Sequence, residues 1–212
     1  LMFRPLQRIT TDTAEGNLLL DLLRADVSVY APHTAFDSAA RGINQRLATL
    51  FGLTDVRPLR PVSAVIPAPA DTLAPADTTL PSTVEVGAGR WGRLPAPCRL
   101  ADLVTRCGTL LPTSGVQFVG KPDRTIQSLA TACGAAAEFI PDAVQAGCDA
   151  LLTGEARFHA ALEGLTAGLA LILAGHYATE RPGIEELAAD LAAAFPELTV
   201  WASREESDPL RS

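Results

Sequence analysis

The stretch from Leu169 to Glu180, Leu-Ala-Leu-Ile-Leu-Ala-Gly-His-Tyr-Ala-Thr-Glu, constrains this chain more than any other segment. It opens with six consecutive apolar residues, too few for a membrane span and too unbroken for a strand with one wet face, so it reads as a strand buried on both sides. Gly175 and His176 follow, and Glu180 comes four residues later at the mouth of a predicted helix. In α/β sheets ligands collect at the carboxyl ends of strands. Imidazole and carboxylate delivered there together suit a borderline divalent metal.

A buried strand needs neighbours, and 212 residues with 48% hydrophobic and 19% charged content are enough to bury a core. The net charge of −7 argues against nucleic acid as a partner, because phosphate binding requires a concentrated basic face. No transmembrane run and no secretory signal pattern is evident, so no membrane partner is expected. Cys98, Cys107, Cys133 and Cys148 form no C-x-x-C pair, which excludes zinc ribbons and thioredoxin-like motifs and implies reduced, cytoplasmic thiols.

In chain order, residues 17–24 predict a helix with a broad leucine face, with Thr10, Thr11, Asp12 and Thr13 as turn or cap candidates. Residues 27–31 predict a strand that delivers His33. Ser38 is a candidate cap for a helix running to Phe51. Residues 62–66 and 84–86 read as short strands around an extended proline-rich loop at 68–81. The glycines between Gly87 and Leu94 read as an irregular turn. That turn lacks a Walker lysine followed by Ser or Thr, so it is a weak candidate for phosphate. Beyond it, helices are expected at 100–107, 138–146 and around His159, and strands at 116–120, 125–131 (interior or edge) and 150–152. The last helix is expected from Thr179 to Phe195, which would put Pro182 in its first turn, and a final strand at 199–202. This order predicts an α/β fold with much parallel sheet.

The chain has three histidines, His33, His159 and His176, each at or just after the carboxyl end of a predicted strand. Asp37 follows His33 and Glu180 follows His176, each by four residues, and Glu155 precedes His159. Each has an ordinary structural explanation: a helix cap for Asp37, the helix dipole for Glu180, and hydrogen-bonded strand ends for the histidines. Their convergence on one type of location is what points to metal.

Three motifs in order carry a resemblance: His33-Thr34-Ala35-Phe36-Asp37 with Gly42-Ile43-Asn44, Thr153-Gly154-Glu155 with His159, and Gly175-His176-Tyr177-Ala178-Thr179-Glu180. Together they resemble the Nif-three-like family, also called GTP cyclohydrolase 1 type 2 or dinuclear metal centre proteins, over essentially the whole chain. The resemblance implies two interleaved α/β units with the metal site between them: residues 1–57 and 170–212 in one, 58–169 in the other. It implies two divalent ions (zinc, iron, manganese or nickel) with Asp37, His176 and Glu180 among the ligands, one of the two carboxylates bridging. His33, Glu155 and His159 would then be outer-shell or substrate-facing. The family's adjacent His-His-Pro is expected just before a segment like residues 1–6, so the chain is expected to be a fragment with a weakened site. The turn Gly134-Ala135-Ala136-Ala137 departs from the family's Gly-Ser-Gly type.

The function this implies is a metal-dependent hydrolase acting on a small molecule, with nucleotides as the substrate class the family name indicates, in a cytoplasmic homohexamer. The alternative is a non-enzymatic metal-binding regulatory or interaction protein. A third reading is an α/β domain whose histidines are structural.

Overall fold

The computed structural model describes residues 8–62 and 86–210. The expectations for residues 1–6, the loop 68–81 and most of the strands at 62–66 and 84–86 lie outside the described residues. The chain divides into two compact units, residues 1–33 and 34–212. The boundaries at 57 and 169 implied by the family resemblance are a different partition.

The first unit is built on α1 (Ala14–Arg24). Thr13 caps it, its hydroxyl accepting from the Gly16 amide at 3.1 Å. Glu15 in the first turn and Arg24 in the last complement the helix dipole. The strand expected at 27–31 does not form. Val27, Val29 and Tyr30 have β propensity, but they stay exposed, and propensity without a ladder partner does not make a strand.

The second unit begins with two short helices, α2 (Thr34–Ser38) and α3 (Ile43–Leu50); the helix expected from a Ser38 cap to Phe51 starts only at Ile43, and α2 stands where the end of a strand was expected. Residues 39–42 separate the two helices. Four antiparallel segments follow: β1 (Thr54–Arg57), β2 (Arg60–Pro61), β3 (Gly87–Ala88) and β4 (Arg90–Arg99). The irregular turn expected at 87–94 is therefore wrong, since most of it is strand. Gly92 is there for close approach: a Cβ on it would lie 2.5 Å from the Thr54 carbonyl on the neighbouring β1. Pro95 and Pro97, which disguise β4 in the sequence, fall where its pairing with the next strand shifts register between Arg93 and Cys98.

The rest runs α4 (Leu100–Leu110), β5 (Gln117–Val119), β6 (Thr125–Ala132), a 3₁₀ turn, α5 (Ile140–Gln145), β7 (Ala150–Thr153), α6 (Phe158–Thr166), β8 (Ala170–Leu173) and α7 (His176–Ala194). The main sheet has the order β1-β4-β6-β7-β8-β5, and β2 and β3 form a separate pair. β6 is thus interior. The sheet is mixed: only β6–β7 and β7–β8 are parallel, while β1, β4 and β5 pair antiparallel. The parallel sheet expected from the element order is the β6–β7–β8 part, and β1, β4 and β5 extend it antiparallel. Residues 199–202 form no strand, and Trp201 is exposed.

The alternation along β7 and β8 explains the unbroken apolar runs. Leu152 and Ile172 point into one core with Leu47, Phe51, Leu100 and Leu103. Leu151 and Leu171 point into the other, with Phe139 and Ile140. Both sheet faces are covered by helices, so every position is apolar. Each fully buried Leu or Ile contributes about 1.5–3 kcal/mol.

Among the described residues Arg90 is the largest fully buried side chain, and its bonds to them include no carboxylate. Its Nε donates to Gln45 Oε1 (3.0 Å), one terminal nitrogen to the carbonyls of Gly87 and Gly89 (2.6 and 2.7 Å), and the other to those of Ser38 and Ala39 (3.3 and 2.8 Å). The fork joins the break after α2 to the β3–β4 corner. No helix among the described residues is long and apolar enough to cross a membrane.

Candidate metal centre

The carboxyl ends of β6, β7 and β8 converge on Gly134, the residue after Cys133 in the turn following β6. Its carbonyl accepts from the amides of Gly154 (2.9 Å) and Glu155 (3.2 Å) and from the Thr153 hydroxyl (3.1 Å). Its amide donates to Thr179 Oγ1 at 3.0 Å, and that hydroxyl in turn reaches the carbonyls of Gly175 and His176 at the start of α7. One turn thereby fixes the segments that carry Glu155, His176 and Glu180.

These three side chains meet. His176 Nδ1 lies 2.8 Å from Glu155 Oε1, and His176 Nε2 lies 3.1 Å from Glu180 Oε1. Desolvation of the half-exposed ring disfavours its charge, but hydrogen bonds and charge from Glu155 and Glu180 outweigh this and raise its pKa above 6.5. A neutral imidazole has one N–H and satisfies only one of the two carboxylates; the second contact requires a proton or another cation. Gly134 makes this approach possible. Its φ is +67°, and a Cβ on it would stand 2.8 Å from Glu180 Oε1 and 3.2 Å from His176 Nε2.

Asp37, half-buried on α2, joins the same corner through Cys133. The buried Cys133 thiol is pushed up in pKa by burial first, and then by the Asp37 and Glu180 carboxylates and a hydrogen bond to Asp37. It is therefore held neutral between two acids. Asn44 completes the corner, donating from Nδ2 to the Asp37 carbonyl (3.1 Å) and accepting at Oδ1 from the Cys133 amide (2.8 Å). Sequence reasoning missed Cys133 and Asn44 as site residues. The cysteine read as part of a small-residue turn, and the asparagine, although part of a recognised motif, carried no charge to mark a role.

Of the other expected site residues, Glu155 touches His176 directly. His159 stands exposed on α6, its ring edge-on to Phe158 with centroids 6.0 Å apart. His33 closes the first unit with a φ of +45° and follows no strand. Two clefts share Glu155: one of about 480 Å³ that also includes Thr113, Gln117, His176 and Asp208, and one of about 540 Å³ that includes Glu138 and Arg157. Among the described residues no group of three or more His, Cys, Asp or Glu side chains is arranged to hold a metal ion. What fits a metal is one edge of such a site: an imidazole nitrogen and a carboxylate oxygen side by side over a glycine, with the other ring nitrogen bonded to a second carboxylate, the usual support of a ligating histidine.

Fold and site together define a mixed α/β protein with a histidine–carboxylate cluster at its strand ends. The chain belongs to the Duf34/NIF3 (NGG1p interacting factor 3) family, whose model matches residues 1–209. It is similar to the GTP cyclohydrolase 1 type 2 homolog of Clostridium acetobutylicum, at 24% identity over 100% of this chain and 74% of that one. The homolog of the same name from Nostoc sp. is 30% identical over 88% of this chain and 64% of that one. The fold matches the crystal structure of a Bacillus cereus protein related to NIF3, with a TM-score of 0.84 and 21% identity, covering 99% of this chain and 80% of that one.

Proposed function

We propose that Asp37, His176 and Glu180 are ligands of a divalent metal centre and that the chain is a metal-dependent hydrolase of a small molecule, in line with its GTP cyclohydrolase 1 type 2-named relatives. The observation that carries this reading is His176 Nε2 and Glu180 Oε1 side by side at 3.1 Å, with the other ring nitrogen held by Glu155, the donor pair and support that a ligating histidine uses. Such an ion, when bound, lowers the pKa of a bound water and polarises the substrate. Glu155 at Nδ1 orients the ring and favours the tautomer whose Nε2 lone pair is available. Gly134 keeps a side chain out of the space beside both donors. The Cys133 thiol, kept neutral by burial and by the neighbouring Asp37 and Glu180 carboxylates, does not compete as a thiolate. The cleft sharing Glu155 and His176 gives a small substrate access.

The test is to load the purified chain separately with zinc, manganese, iron(II) and nickel, to measure bound metal by mass spectrometry and titration calorimetry, and then to assay product release from GTP and other nucleotides. His176→Ala should abolish both binding and turnover. Parent protein that binds none of the four metals overturns the metal centre. Metal retained with no turnover on any nucleotide overturns the hydrolase and leaves a binding role.

A further inference from the structure

Asn44 is an amide in a place where its neighbours are core. It lies in the first turn of α3 beside Ile43, Leu47 and Ala48, and it is itself 4% exposed. A buried amide is costly unless both of its ends are bonded, and here both are. The Asp37 carbonyl can only accept and the Cys133 amide can only donate, so Nδ2 and Oδ1 have one possible assignment. The Asn44 main-chain carbonyl also accepts from the buried Thr131 hydroxyl at 3.3 Å. These partners are far away in sequence: Thr131 is 87 residues on and Cys133 is 89. One side chain therefore sets the distance between the backbone that carries Asp37 and the backbone that carries Cys133 and Gly134.

We infer that Asn44 is a positioning residue for the site, holding Asp37 in register with the Cys133–Gly134 turn, and through that turn with His176 and Glu180. The metal-affinity part of this rests on the proposed metal centre; the positioning of Cys133 does not. No other protein side chain supplies the same pair of bonds in the same shape. Aspartate keeps the outline but has no donor for the Asp37 carbonyl. Leucine keeps the volume and has neither group.

The experiment compares the parent with Asn44→Asp and with Leu47→Ala, a core truncation one turn along the same helix that touches none of these bonds. Two readouts are taken on folded protein: zinc affinity by calorimetry, and the rate of Cys133 alkylation in metal-free protein, followed on its own peptide by mass spectrometry. Asn44→Asp should weaken zinc binding by about 10- to 100-fold, the usual range for losing an outer-shell support. It should also accelerate Cys133 alkylation at least as strongly, beyond what its global unfolding allows. Leu47→Ala, corrected for its own unfolding, should change neither. An Asn44→Asp protein with parental zinc affinity and parental alkylation overturns the inference, as does Leu47→Ala matching it in both. If the parent binds no zinc, the metal centre is what fails, and alkylation alone decides the role of Asn44. Should Asn44→Asp not fold, Thr131→Val, which removes the bond to the Asn44 carbonyl with little change in volume, takes its place. A several-fold faster Cys133 alkylation supports the clamp, and an unchanged rate overturns it.

Discussion

Nε2 of His176 and Oε1 of Glu180 lie 3.1 Å apart, one helical turn from each other, over a glycine that any side chain would push against. The closeness depends on Gly134 as much as on the pair. Gly134→Ala should therefore act in two ways. The φ of +67° costs a residue with a Cβ about 1–2 kcal/mol, and the new methyl at 2.8 Å from Glu180 Oε1 pushes the flexible carboxylate away from the ring. Chemical denaturation should show the stability loss, and the His176 ring resonances should shift. A variant with parental stability and unshifted resonances contradicts this account.

Arg90 supports the same corner from behind, through the carbonyls of Ser38 and Ala39 just after Asp37. Lysine keeps the charge but has three donors on one nitrogen in place of five in a planar fork. Arg90→Lys should leave at least two buried carbonyls unpaired, at about 1–3 kcal/mol each. The expected loss is about 2–5 kcal/mol in urea unfolding. A loss below about 1 kcal/mol means that the fork is not what joins these segments.

The buried thiols set an alkaline limit. Desolvation pushes both Cys107 and Cys148 up from 9.0 to about 12. Their folded pKa values lie above the unfolded ones, so burial of the neutral thiols stabilises fully below pH 9. That contribution is lost as pH rises from 9 through 12, when the unfolded chain releases protons that the folded one retains. Within that window each such thiol steepens the fall by about 1.4 kcal/mol per pH unit. Cys107, fully buried on α4, is the cleaner case. Cys107→Ala should start less stable at pH 8 because of the cavity, yet lose less than the parent between pH 9 and 10.5. Parallel stability–pH curves would show that Cys107 ionises alike in both states.

What the sequence made legible follows from how local each determinant is. The 169–174 run announced a strand because both of its faces are buried, which leaves no polar residue to confuse the pattern. The 27–31 run also has β-branched and aromatic residues, but a strand needs a ladder as well, and that is not written in its own residues. β4 was hidden for the opposite reason: its glycines and prolines read as a turn, while their purpose is the close passage of β1 and a shift in register. At the site, His176, Glu180 and Glu155 stood out as charged groups at strand ends. Asn44, Cys133 and Thr179 did not, because they act through bonds to backbone many residues away.

The start of α7 at His176, three residues before the expected Thr179, moves Pro182 out of the first turn and into the helix interior. Proline there has no N–H to offer the carbonyl of Ala178, a residue that is fully buried. Alanine restores that donor and has a helix propensity better by about 3 kcal/mol, partly offset by the greater freedom it gives the unfolded chain, about 0.4–1 kcal/mol. Pro182 also lines a cleft with Arg46 and Arg181, so some packing is lost as well. The balance favours the substitution. Pro182→Ala should raise stability by about 1–2 kcal/mol, or roughly 2–8 °C in Tm for a chain of this size. The backbone around Glu180 is already helical, so the same variant should leave the His176 ring resonances in place. A lower Tm would mean that the ring of Pro182, filling its cleft, contributes more than the missing hydrogen bond takes away.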